Sequence, residues 1–223
     1  MENKPIIIKT NELEAVAICA SKKDASIHYL KGVYVELYKD GGHALIAADG
    51  HRMSVIGLRK EGDVEESFII STSDIKKIIT YSKAAGKALS YNFEGCIALK
   101  IMRGEKLSVN LTVVSVNKKG KIIKHFNSFE SSCVDGVYPD FRSKIPEQEN
   151  IISNAICINS DYIADFGKIY KILTGEKKSC VIIKLCGDKY SPILIELPEC
   201  DFIGVLMPIS VAFDYSEFNK IKG

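Results

Sequence analysis

The side chains best able to do chemistry in this 223-residue chain are four histidines and seven cysteines. The histidines are His28, His43, His51 and His125, and they lack the HExxH spacing that places two zinc ligands on one helix face. The cysteines (Cys19, Cys96, Cys133, Cys157, Cys180, Cys186 and Cys200) are odd in number, scattered and without a CxxC pair. That argues against a zinc site or a disulfide framework and fits a reducing compartment. Asp49-Gly50-His51-Arg52 could pair an acid with a base, yet it reads more simply as a turn with a positive-φ Gly50. Cys180 and Cys186 lie in a strand-like run and are expected to be small buried hydrophobes. No phosphate-cradling GxGxxG or GxxxxGK[ST] and no GxSxG nucleophile elbow occurs. A binding protein, with no enzyme activity, metal or cofactor, is therefore expected.

Composition supports an ordinary globular chain, with 46% hydrophobic and 26% charged residues. Thirty Lys and Arg against 28 Asp and Glu leave a formal charge of only +2. A surface that is basic all over is excluded, but one basic face balanced by acidic ones is not. No apolar run reaches the length of a membrane span, and the first residues do not resemble a secretory signal, so a cytoplasmic protein without membrane contact is expected.

The elements that must position any site form a repeat. A short apolar strand, a Thr, Ser or Asn, an acidic residue and an apolar helix face recur three times. They begin at Pro5, Phe68 and Ala155, with helices opening near Asn11, Ser73 and Ser160. In each, a side-chain oxygen can cap the first-turn amides, and a carboxylate meets the positive end of the helix dipole. Strands are expected after each helix. Unit one has 27–38 and 44–58; unit two has 88–93, 97–103, 107–116 and 120–126; unit three has 181–185, 193–197 and 202–207. Strand–helix–strand–strand units imply an α+β fold of antiparallel sheets with the helices on one face. The polar stretch Pro146 to Asn150 marks the expected boundary. It separates a two-unit domain (1–146) from a single-unit segment (147–210), which a tail (211–223) follows.

Three segments are more specific. Leu45-Ile46-Ala47-Ala48-Asp49-Gly50-His51-Arg52-Met53-Ser54-Val55 resembles the "ATDGHRLAV" segment of the bacterial DNA polymerase III β subunit, the sliding clamp. Val134-Asp135-Gly136-Val137-Tyr138-Pro139-Asp140-Phe141-Arg142 is similar to the clamp's "DGRFPDYR", and Gly204-Val205-Leu206-Met207-Pro208-Ile209 to its "VVMPM". The resemblance implies a DNA-clamp-like fold, with the first two units matching the clamp's middle domain and unit three the latter half of its last. No counterpart of the clamp's first domain is recognised, which sets the family's two-subunit ring aside.

The same resemblance implies a client-peptide pocket formed by Gly50, His51, Arg52, Met53, Pro139, Val205, Met207, Pro208 and Ile209. Its clients would be a polymerase or other proteins carrying a short hydrophobic motif. Ala48, Ser143 and Lys144 depart from the family pattern, so a shifted client preference is expected. Sequence-independent contact with double-stranded DNA is expected from helix lysines: Lys22, Lys23, Lys76, Lys77, Lys83, Lys87, Lys168 and Lys171, with Lys177 and Lys178 beyond helix three. Lys118, Lys119, Lys121 and Lys124 surround a hairpin turn and are expected to protect an edge. A clamp loader and a homo-oligomer complete the expected partners. The odd number of units leaves unit three one sheet edge to be covered by a second copy or by the tail, and four protomers would close a ring. The alternative is a non-encircling adaptor or decoy that keeps the pocket and forms no ring.

Overall fold

The computed structural model describes residues 6–21, 28–59, 63–89, 95–103, 108–145, 156–185 and 190–209. Lys22, Lys23, Cys186, the boundary at 146–150 and the tail at 211–223 lie outside the described residues.

Unit one contains β1 (Ile6–Lys9), α1 (Thr10–Val16), β2 (Gly32–Tyr38), β3 (His43–Ala48) and β4 (Arg52–Ile56). Unit two contains β5 (Val64–Ser71), α2 (Thr72–Lys87), β6 (Gly95–Arg103), β7 (Ser108–Asn117) and β8 (Ile122–Ser132). Unit three contains α3 (Ser160–Thr174), β9 (Ile182–Leu185), β10 (Ile193–Glu196) and β11 (Phe202–Leu206). α2 and α3 begin with side-chain caps of the kind the pattern requires. Ser71 Oγ accepts from Asp74 N–H at 3.2 Å, and Asn159 Oδ1 accepts from Asp161 N–H at 2.9 Å. α1 differs: Lys9 stands at its cap position without a side-chain cap bond, and Thr10 Oγ1 instead donates to Ile97 O at 3.1 Å.

Several strand expectations change. The run 44–58 is two strands, β3 and β4, because Gly50 at φ 88° turns the chain between them. Ala88 and Leu89 form the turn that ends α2, and residues 90–93 lie outside the described part. β8 runs on to Ser132, well beyond the alternating stretch that announced it. Residues 156–159 precede α3 as the pattern requires, but they belong to no ladder.

Two sheets result. One has the order β1-β6-β7-β8 and the other β5-β2-β3-β4-β11-β10-β9, with the pairs between neighbours antiparallel. α2 packs on the four-stranded sheet, α1 on the centre of the seven-stranded one, and α1 also touches both other helices. One large core therefore lies between helices and sheets, including Ile8, Leu13, Val33, Leu45, Ile75, Leu99 and Phe166. A second cluster covers the other face of the seven-stranded sheet. There Met53, Val55, Ile46 and Val205 meet Tyr138 and Phe141.

Unit three attaches through β4 and β11, which pair from Phe202↔Ile56 to Leu206↔Arg52. Gly204 is needed in this seam, since a Cβ there would lie 2.7 Å from Phe166 Cε1 and 2.9 Å from Ile195 Cβ. Phe166 is fully buried and meets Phe202 edge-on, with centroids 6.1 Å apart. Cys19, also fully buried behind β4, has its thiol pushed up to about 12, chiefly by desolvation. Cys180 is exposed, contrary to expectation, because it precedes the sheet edge and lies outside its packed layers. Truncating Phe166 to Ala should cost about 3–5 kcal/mol. Urea unfolding should show it as a lower midpoint with an unchanged slope.

Candidate functional site

The turn Asp49-Gly50-His51 is organised by one carboxylate. Asp49 Oδ1 accepts from the His51 and Arg52 N–H groups, both at 3.1 Å, and Oδ2 accepts from Arg52 Nε at 3.1 Å. A carboxylate so fully engaged shapes the turn and has little capacity left for acid–base work. His51 is exposed and stacks near Tyr162 of α3, with centroids 6.2 Å apart.

Alternation along β4 then divides the motif between two faces. Ser54 and Arg52 point to the helix side, where Ser54 Oγ donates to Val16 O at 2.9 Å. Arg52 donates to Asp49, to Asp165 of α3 and to Ile18 O, and its guanidinium lies 4.6 Å from the centre of the Tyr162 ring. Its side chain is 6% exposed. Arg52 is thus separated from the apolar patch with which the sequence grouped it, and it clamps unit one to unit three. Met53 and Val55 face the other way, into the outer cluster.

On that outer face the three matched segments meet. Val205 lies opposite Met53 in the ladder, and Met207 N–H donates to His51 O at 3.0 Å. The middle segment crosses the same face. Tyr138 stacks on Tyr34 with ring centroids 4.7 Å apart and planes 4° from parallel, and Phe141 meets Tyr138 edge-on. Arg142 fixes this crossing by a two-pronged pair with Glu36, at 2.7 and 2.6 Å, while Tyr38 OH donates to the same carboxylate at 3.2 Å. Such a fork sets orientation as well as distance. Nothing in the sequence pattern pointed to Glu36, which sits in an otherwise apolar strand. Met53 and Val205 are buried at 5% and 3% exposure, whereas Met207 and Ile209 are 40% and 44% exposed. Gly50, His51 and Pro139 are exposed and Pro208 half-buried. The patch therefore has a buried floor and an open apolar rim. A cleft of about 900 Å³ lies elsewhere, and there Lys9, Glu12, His43 and Arg59 are engaged with one another or with Asp40.

The helix lysines are less uniformly basic than their sequence clustering implies. Lys77 bonds Asp74 at 2.9 Å, Lys83 bonds Glu14 at 2.9 Å and Lys168 bonds Asp165 at 2.6 Å. Lys76, Lys87 and Lys171 are exposed. Lys118, Lys119 and Lys121 lie at the turn between β7 and β8, and Lys124 Nζ sits 5.2 Å from the Phe126 ring centre. Among the described residues no cluster of His, Cys, Asp and Glu could hold a metal ion, and no helix is long and apolar enough to cross a membrane.

Burial pushes the Asp165 carboxyl up, but bonds from Lys168 and Arg52 outweigh it and hold the group below its ordinary 3.8. A carboxyl with a lowered folded pKa contributes stability that is complete above the unfolded value and is lost as pH falls through the folded one. Asp165→Asn should therefore lower stability near neutrality and flatten its decline in acid below about pH 4, as followed by thermal melts. Arg52→Ala should cost about 2 kcal/mol at neutral pH, because it removes the buried guanidinium that joins the turn to α3 and leaves Asp165 to the exposed Lys168 alone.

No protein-family model matches the chain. Over 170 residues it is 27% identical to the β sliding clamp of Rickettsia bellii, covering 74% of this chain and 38% of that protein. The DNA polymerase III β subunit of Thermotoga maritima superposes with a TM-score of 0.63 at 18% identity, over 95% of this chain and 67% of that one. A sliding clamp of Bartonella birtlesii bound to griselimycin gives 0.61 at 18% identity, over 93% and 66%. The chain thus spans well under half the length of the curated relative and about two thirds of the solved ones. In fold and in sequence it resembles the bacterial DNA polymerase III β sliding clamps, across a part of their length.

Proposed function

We propose that this protein is a clamp-like processivity factor. It would recruit a polymerase or other clients through the outer-face patch and touch DNA without sequence preference through its helix layer. The observation that carries this reading is convergence. Segments around residues 50, 139 and 207, far apart in the chain, meet on one face of one sheet. A protein that needed them only for packing would have no reason to leave Met207 and Ile209 exposed beside a buried Met53. Methionine repacks around varied apolar anchors, which suits a site serving several clients. The work is binding, and no step of it requires a reacting group.

The rim residue Met207 gives the direct test. Met207→Asp places a charge where an apolar anchor would seat, while its 40% exposure lets the fold persist. Affinity for a peptide with the hydrophobic clamp-binding motif should fall about tenfold or more, measured by fluorescence anisotropy. Unchanged affinity in the folded variant would remove the pocket from the proposal.

DNA contact would fall to Lys76, Lys87 and Lys171, since their neighbours are engaged with carboxylates. Replacing these three by Glu should weaken salt-sensitive DNA retention far more than replacing Lys118, Lys119 and Lys121. Each lost phosphate contact lowers the log–log salt slope by about 0.9. The same carboxylate pairing favours a second reading, a non-encircling adaptor whose helix layer is too weakly charged to hold DNA. Retention on closed-circular but not on linear DNA supports encirclement, and loss from both supports the adaptor.

A further inference from the structure

Three side chains of β2 stand in a row on the outer face. Tyr34, Glu36 and Tyr38 are two residues apart, so the pleat turns them to the same side. The segment that follows β8 lies over that row, and its residues 133–141 belong to no helix or strand. Its backbone is tied to the sheet at Val134, whose N–H donates to Ile69 O at 3.0 Å. Beyond Gly136, at φ 139°, the chain sends Tyr138 and Phe141 inward and leaves Val137 and Pro139 outside.

Two kinds of contact hold the segment there, and they fix different things. The Tyr34–Tyr138 stack and the edge-on contacts of Phe141, with centroids 6.3 Å from Tyr34 and 6.5 Å from Tyr138, set its height above β2. Stacked rings slide over one another at small cost, because a range of offsets is acceptable. The fork from Arg142 to Glu36 has no such freedom, since two prongs must meet two carboxylate oxygens. Glu36 is itself held. Arg59 N–H donates to Tyr38 OH at 3.0 Å, which leaves the hydroxyl proton for Glu36 Oε2 at 3.2 Å. The Arg59 guanidinium lies 5.2 Å from the Tyr38 ring centre and pairs with Asp40, just beyond β2. The Arg142 guanidinium lies 4.7 Å from the Phe141 ring centre. A chain of four residues, Arg59, Tyr38, Glu36 and Arg142, thus runs from the end of β2 to the segment.

We propose that Glu36 and Tyr38 are positioning residues of the client-peptide pocket. At 2% and 1% exposure they touch no client. They act through Arg142, fixing where along β2 the segment lies and so where Pro139 stands. Tyr138 and Phe141 share a cluster with Met53 and Val205, so the same placement decides how the pocket floor is covered. The inference rests on the pocket reading above and adds to it two residues of a strand that lies outside all three matched segments. Stability does not account for the pair. Apolar residues of similar volume often hold such elements as firmly, but without the fixed angle of the fork. Client binding and stability are therefore separable at this place.

Peptide affinity and thermal melting of the full chain, measured on the same variants, test the proposal. The probe is a fluorescently labelled peptide carrying the hydrophobic clamp-binding motif. Glu36→Leu combined with Arg142→Leu should leave the melting temperature unchanged or raise it, and should weaken the peptide about tenfold. Arg142→Lys keeps the charge but loses the fork, and should weaken binding to a similar degree. Tyr38→Phe should weaken binding about threefold by itself and no further in the double variant, because residues acting as one unit are not additive. A double variant that binds like the wild type overturns the proposal and leaves the pair a structural contact. So does a Tyr38→Phe loss that persists in full in the double variant, or an affinity loss that only follows a lowered melting temperature. Should the double variant not fold, Arg142→Lys decides by the same comparison. Failure of the pocket reading looks different: the wild-type chain then binds no peptide, or binds it equally after Met207→Asp, and this inference falls with it.

Discussion

The seam between β4 and β11 is the constraint on which the remaining arrangement rests. It joins residues about 150 positions apart, and closing so long a loop carries an entropy cost that grows slowly with length but starts high. Five ladder pairs alone would repay little of it. The seam is reinforced on both faces. On the helix side Arg52 ties the turn to α3, and Phe166 lies against the bare backbone of Gly204. On the outer side Met53 and Val205 share a cluster with Tyr138 and Phe141. One strand pair thus sets the distance between α1 and α3 and, through the opposite face, the shape of the apolar patch.

The Glu36–Arg142 pair plays the corresponding part for the middle segment. Glu36 is 2% exposed in a strand whose other residues are mostly apolar. A carboxylate there is tolerated because Arg142 meets it with both prongs and Tyr38 donates a further bond. The pair contributes less to net stability than to direction: it decides which face of the segment meets the sheet.

Much of this architecture was legible in the sequence, for identifiable reasons. Helix starts were readable because the Ser71–Asp74 and Asn159–Asp161 caps are local chemistry, complete within a few residues. That β1 pairs with β6 of unit two and β5 with β2 of unit one was hidden, since alternation tells which residues share a face and nothing about which strand lies alongside. The single run 44–58 concealed two strands because apolar residues continue on both sides of the Asp49–Gly50 turn that the sequence already marks. The helix-side setting of Arg52 was not legible in a contiguous motif, because a period of two sends neighbours to opposite faces. The lysines were legible as positions but not as charges, because Glu14 lies on a different helix from Lys83.

Cys19 carries a practical corollary. With its thiol near 12 against an ordinary 9.0, it holds about a thousandfold less thiolate at neutral pH than a free cysteine would. It sits behind β4, beside the Ser54 and Arg52 contacts that fasten the seam. A thiol reagent can therefore reach and modify it only when the layer behind that strand parts. Modification of Cys19, timed against that of the exposed Cys180, reports how often the helix layer lifts from β4.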